Sequence, residues 1–282
     1  MFVSRRIFSI GLLPLTAALA STTVNAGPMQ PMVTILDGEA FLLRGADKLA
    51  LAEGVPLEPE DIVEVPPKSR LARIEFSDGL ALALGPDTRA MLLPRLGGDR
   101  AGARLYLLSG WAKLAAPKGV VAAVLSRTLD IRTADATVVL SVLPATATLF
   151  VEAGEATAGR NSAGMKPVKA GELLSFAGTD DARPVLTNRP TQAYVATLPR
   201  AFMDNIPLRA AHFTGKPMVP RPLGPVAYAD EQPWIDAEGV VRRAYLPRWR
   251  ALARDPDARR ELLAGMKSHP EWASVLARPA DK

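Results

Sequence analysis

Cysteine is absent from the 282-residue chain, and histidine occurs only at His212 and His269. The first absence excludes a disulfide framework, a thiolate metal site, a cysteine nucleophile and lipidation through an N-terminal cysteine. The second excludes a three-histidine zinc centre and leaves a Ser-His-Asp arrangement only two residues to choose from. The chain also lacks a Gly-rich phosphate loop, a nucleophile elbow and a calcium loop. Charge is modest: 22% of residues are charged against 48% hydrophobic, which excludes a disordered chain. What is plentiful is proline, with 25 residues alongside 21 glycines. That balance favours many short strands and turns over a long helical bundle.

The N-terminus reads as an address. Arg5 and Arg6 precede an apolar stretch from Ile7 to Ala20, too short to suit a membrane span, and Val24-Asn25-Ala26 places small residues where a signal peptidase reads. Residues 1–26 are therefore expected to be a signal peptide and the mature protein periplasmic. The run Ser4-Arg5-Arg6-Ile7-Phe8 resembles the twin-arginine motif, but Ser9 and Ile10 depart from it, so both export routes stay open. Cleavage lowers the formal charge from +5 to +3, too small a surplus to suggest nucleic acid. No later segment approaches about 18 continuous apolar residues, so no transmembrane span is expected in the mature chain.

From about 31 to 197, short apolar runs alternate with turn residues. Leu71-Ala-Arg-Ile74-Glu-Phe76 has period 2 and meets Ser77-Asp78-Gly79, where a type I′ hairpin turn is expected. Leu80, Leu82 and Leu84 alternate with alanines up to Gly85-Pro86, and Leu105 to Leu108 is expected to stop at Ser109-Gly110. Further short strands are expected at Leu129 to Arg132, Thr137 to Val142, Thr146 to Glu152 and Leu173 to Phe176. A short helix fits only near Thr191 to Met203.

In this stretch Gly54-Val-Pro-Leu57-Glu-Pro-Glu-Asp61-Ile-Val63, Ser69-Arg70-Leu71-Ala72, Asp78-Gly79-Leu80 and Gly85-Pro86-Asp-Thr88 follow one another. With Leu105 to Gly110, Val151-Glu-Ala-Gly154-Glu155 and Ala170-Gly171-Glu172, this order resembles the FecR domain over roughly residues 31–178. The resemblance implies a mainly β fold of stacked short strands, solenoid-like or sandwich-like, used for protein or envelope contacts. The family's Arg-Gly-Thr motif is not legible near Leu143-Pro144-Ala-Thr146, and only a signal peptide precedes the β domain where a full regulator has an anti-sigma segment and a transmembrane helix. Signalling to a sigma factor is therefore not expected.

The expected layout is a signal peptide at 1–26, a FecR-like β domain at 27–197, a Pro-rich connector at 198–230 and a helical segment at 231–282. Pro217, Pro220, Pro222 and Pro225 rule out a helix or an interior strand there, while Phe213, Met218, Val219, Leu223, Val226 and Tyr228 favour an arm lying on the β body. Asp236 is expected to cap a helix limited by Pro247, Asp255-Pro256 to start a second, and Ser268-His-Pro-Glu271 to form a capping box.

The chemical candidates are few. The arginines between 242 and 260, interspersed with Asp255, Asp257 and Glu261, are read as the solvated face of amphipathic helices ahead of an anion site. His269 reads as a helix-start residue and Trp111 as core. Tyr228, Trp234, Arg242, Arg243, Trp249 and Arg250 are the candidate contact residues. No catalytic residue, cofactor or metal is expected. The expected function is a non-catalytic binding or scaffolding protein whose partner is another envelope protein or an envelope polymer. The competing expectation is a glycan-acting enzyme using a carboxylate pair, drawn from Glu58, Glu60 and Asp61 or from Asp180-Asp181. Oligomeric state is not legible. N-terminal sequencing of the envelope form should begin at Gly27. Intact Met1 on a cytosolic protein would refute export.

Overall fold

The computed structural model describes residues 30–160, 163–177 and 183–277, so the leader at 1–26 and Asp180-Asp181 lie outside it. The chain is mainly antiparallel β, with short helices gathered near its end. In order the strands are β1 (Met32–Asp37), β2 (Phe41–Arg44), β3 (Asp47–Ala50), β4 (Ile62–Val65), β5 (Leu71–Glu75), β6 (Ala81–Leu84) and β7 (Thr88–Leu92). Then come β8 (Leu105–Leu125), β9 (Asp130–Leu143), β10 (Thr146–Ala153), β11 (Glu155–Arg160), β12 (Ala163–Lys169), β13 (Leu173–Ala177), β14 (Val185–Thr187) and β15 (Arg221–Pro225). The helices are α1 (Gln192–Thr197), α2 (Tyr228–Ile235), α3 (Gly239–Trp249), α4 (Pro256–Ala264) and α5 (Ala273–Leu276).

The two long strands β8 and β9 hold the body together. One path of hydrogen-bonded neighbours runs β14-β13-β10-β9-β8-β7-β4-β2-β3-β15, and the branches β1-β5-β6 and β12-β11 join at β8 and β9 respectively. β8 extends well past the stop expected at Ser109-Gly110. Gly110 takes φ +96°, and the Trp111 N–H donates to Thr88 Oγ1 at 2.9 Å, so this pair bends the strand instead of ending it. The β5–β6 hairpin also differs from expectation. Gly79 has φ +87° while Asp78 is not in the positive-φ region, and the Gly79 N–H donates to Phe76 O. The connection is thus not type I′; it is the longer kind, in which only the glycine is left-handed.

Alternation along β2, β4, β7 and β8 decides the layering. Leu42, Val63, Ala90, Leu92, Leu105 and Leu107 join the main core, which gathers buried side chains from both halves of the curled sheet. Their neighbours Leu43, Ile62, Met91 and Tyr106 point to the opposite face and belong to a second cluster with Trp234, Ile235, Val241, Tyr245, Trp249, Leu262, Trp272 and Leu276. This part of the sheet is therefore apolar on both faces, and the tail helices form its outer cover.

The chain between α1 and β15 covers another face. Arg73 and Glu75 occupy the polar positions of β5, which a half-exposed strand would turn to water. Both are buried instead, beneath the returning segment: Arg73 Nη1 donates to Ile206 O at 2.7 Å, and Glu75 Oε2 accepts from the N–H groups of Arg209 and Ala210, each at 2.8 Å. Phe202 packs there with Leu71, Trp111 and Val139, so Trp111 is core as expected. The proline arm lies on the body. β15 pairs with β3 at the sheet edge, where a missing N–H is tolerated, and Phe213 and Met218 pack over Gly54.

Trp234 is fully buried at the centre of the tail–sheet cluster. Trp234→Ala should cost about 3–5 kcal/mol, the usual range for emptying a buried aromatic site. A urea titration followed by far-UV circular dichroism reads the loss, and a change below about 1 kcal/mol would show that the outer layer is not coupled to the body.

Candidate functional site: a groove between the arm and the tail helices

Helix α2 begins three residues ahead of the helical segment expected from 231, and Pro233 sits inside it. Its start is nonetheless supported by Asp230, whose carboxylate accepts from the Ala227 N–H at 3.2 Å and pairs with Lys48 of β3 at 2.5 Å. Glu231, Trp234 and Ile235 are spaced i, i+3, i+4 and all three are buried. Asp236 ends α2 instead of starting the next helix. Glu238 precedes α3, which passes through Pro247 to Trp249. A proline in the last turn removes one intrahelical bond, and the packing of Trp249 outweighs it. The Asp255-Pro256 start is as expected, with Asp255 Oδ1 accepting from the N–H groups of Asp257 and Ala258. The capping box at Ser268 does not form. Ser268 Oγ donates to Gly265 O, and buried His269 takes the cap position, with Nε2 at 2.9 Å from Leu262 O.

Arg248 fixes α3 on the sheet. Its three guanidinium nitrogens donate to the carbonyls of Gly45 (3.1 Å), Glu60 (2.7 Å) and Leu43 (2.6 Å). Burial pushes its pKa below the ordinary arginine value. The rings of Tyr106, Trp234, Tyr245 and Trp249 follow one another at centroid separations of 6.2, 6.4 and 5.6 Å, a buried ladder from β8 to the end of α3.

At the end of that ladder a groove of about 640 Å³ opens between the arm, α2, the end of α3 and the start of α4. Val226, Ala227, Leu252 and Ala258 supply apolar wall, and Tyr228 and Trp249 supply ring surface. Glu231, Asp255, Asp257 and Glu261 supply carboxyl groups. Glu231 is 1% exposed, and its Oε2 has no hydrogen-bond partner among the described residues; Trp249 Nε1 is likewise without one. Burial pushes the Glu231 carboxyl up to about 9, with Arg248 opposing the shift and Asp230 adding to it.

The candidate contact residues separate into three groups. Tyr228 and Trp249 line the groove, although Trp249 is mostly buried, whereas Trp234 is wholly enclosed by the tail and sheet. Arg242 ties α3 to the last turns through two hydrogen bonds to Glu271, at 3.1 and 3.0 Å, and a third to Ala237 O. Arg243 is exposed, 3.8 Å from Glu271, and Arg250 is exposed at the start of the following turn. Neither lines the groove. Sequence reasoning missed Glu231, since Asp230-Glu231-Gln232 reads as a solvated run. The available sign was its helical spacing to Trp234 and Ile235.

The carboxylates considered for glycan chemistry are differently placed. Asp61 is buried and held by Arg44 at 2.9 and 2.5 Å, Glu58 also pairs with Arg44, and Glu60 lies 3.7 Å from Arg95. Among the described residues no cluster of three or more His, Asp or Glu side chains is arranged to hold a metal ion. No helix among them is long and apolar enough to cross a membrane.

No protein-family model and no curated protein matches the chain. Among solved structures it is similar to two of a putative anti-sigma factor from Parabacteroides distasonis, at 2.50 and 1.65 Å resolution. Both are 14% identical, with TM-scores of 0.40 and 0.39 over 48% of this chain. The chain spans 62% and 63% of those structures, less than two thirds of their length.

The Glu231 carboxyl titrates higher in the folded protein than in the unfolded chain. Its contribution to stability is therefore fully present below its ordinary value of 4.5 and is lost as pH rises toward about 9. The slope from one such group is about 1.4 kcal/mol per pH unit. Glu231→Gln should flatten the fall in stability between pH 5 and 9 in urea titrations, and an unchanged slope would overturn the assignment.

Proposed function

We propose that this protein is an exported, non-catalytic binding and scaffolding protein of the cell envelope, with a FecR-like β body and a contact site in the groove between the arm and the tail helices. The observation that carries the reading is the groove itself. Its walls come from four segments that are pinned to the sheet by Arg248, by the Lys48–Asp230 pair and by the aromatic cluster. A preformed cleft of this kind loses little conformational entropy when it is filled. Export rests on the leader residues, and the FecR-like character rests on the order of motifs between 31 and 178. The non-catalytic reading is supported by the use of Asp61 and Glu58 in ion pairs with Arg44, which leaves neither poised as an acid or base.

A photoreactive residue placed at Ala227 or Leu252, on the groove, should crosslink the exported protein to a discrete envelope component. One placed at exposed Val121, outside the groove, should not. Equal products from all three positions, or none from the groove, would overturn the reading. Release of soluble fragments from peptidoglycan by the purified protein would replace it with the glycan-acting alternative.

A further inference from the structure

Resting on the proposal that the groove is a binding site, we infer that its occupant is a small organic cation, an ammonium group on an apolar body, with the Glu231 carboxylate as its counter-ion. A buried carboxyl oxygen without a donor is rare and costly in a folded protein, and Glu231, which lines the groove, carries one in its Oε2, with no partner among the described residues. The nearest cation does not supply the donor: Arg248 spends its guanidinium on the carbonyls of Leu43, Gly45 and Glu60. The rest of the surroundings add negative charge. Asp230 neighbours Glu231 on α2 and is held by Lys48 from β3. Around α4, Asp255 is used as a helix cap, Asp257 faces Arg260 at 2.9 Å, and Glu261 has no side-chain partner among the described residues.

Charge and shape together select the ligand. An anion would meet four carboxyl groups against the single guanidinium of Arg248, and a neutral apolar molecule would leave Glu231 Oε2 unsatisfied. An ammonium group brings donors for the carboxylate, and the Tyr228 ring is a surface on which a cation rests, while the Trp249 ring already carries the Arg248 guanidinium at 5.4 Å. A volume of about 640 Å³ suits a body of small-molecule size. Burial holds Glu231 as the neutral acid when the groove is empty. Entry of an ammonium ion then ionises the carboxyl, forming the ion pair and releasing one proton to solvent, so charge balances.

The probe is 4-phenylbutylamine, titrated calorimetrically into the mature full-length protein at pH 7.5 in phosphate and in Tris. Because the two buffers differ in ionisation enthalpy, the difference in heat counts protons. The amine should bind with about one proton released. The matching alcohol, 4-phenylbutan-1-ol, and 4-phenylbutyrate should bind about tenfold more weakly or not at all. Glu231→Gln should abolish the proton release and weaken the amine about tenfold, while Leu252→Trp should block binding with the far-UV circular dichroism and the urea midpoint of the fold retained. An amine that binds no better than the alcohol, or a proton count unchanged in Glu231→Gln, overturns the inference. Groove crosslinks to an envelope component without amine binding would refute the cation and leave the envelope reading standing. Amine binding without such crosslinks would do the reverse.

Discussion

The structure depends on one constraint: the sheet formed by β2, β4, β7 and β8 is apolar on both faces. Leu42, Val63, Ala90 and Leu107 face the interior, and Leu43, Ile62, Met91 and Tyr106 face away from it. Left uncovered, the second set would place a contiguous hydrophobic patch in water, which a monomeric soluble surface rarely tolerates. The tail supplies the cover. Trp234, Tyr245, Trp249 and Trp272 are all buried against this face or one another, each aromatic worth roughly 2–3 kcal/mol by area transfer. Short helices of this length are marginal alone, so they owe their existence to that surface.

Apolar cover is not directional, and polar contacts fix where it sits. Arg248 reaches three backbone carbonyls of the β body, one in β2 and two in adjoining turns, Arg100 bridges Asp130 and Glu238, and Arg242 clamps Glu271. These arginines hold α3 from both ends and from beneath. The arginine-rich stretch was expected to be a solvated face, and Arg243, Arg250, Arg254 and Arg260 fit that description. Arg242 and Arg248 do not, because their hydrogen-bond partners lie on other segments.

The same docking creates the groove. Pinning α3 to the sheet and running the arm along β3 leaves a gap that α4 borders but does not fill. Glu231 lies at this gap because it shares a helical face with Trp234 and Ile235, which must be buried. Its unpaired carboxyl is the cost of placing a charged residue type on the buried face of a short helix. Where stability alone was at stake an apolar residue would have served, so the carboxyl directs attention to what the groove receives.

Local patterns in the sequence determined the β body, the late onset of helix, the edge position of the proline arm and the start of α4. Each rests on short-range physics: period-2 alternation, the missing proline N–H and the geometry of an Asp cap. Even there, Gly110 and Gly79 show the limit, since the register of β8 against β7 decided that Ser109-Gly110 bends a strand and the β5–β6 pairing decided the kind of turn. The tertiary structure alone decided that Arg73 and Glu75 are buried, that α2 forms despite Pro233, that Trp234 is core, and that Glu231 Oε2 is buried with no donor among the described residues. These depend on contacts between segments more than a hundred residues apart, and no local period records which distant face a residue will meet.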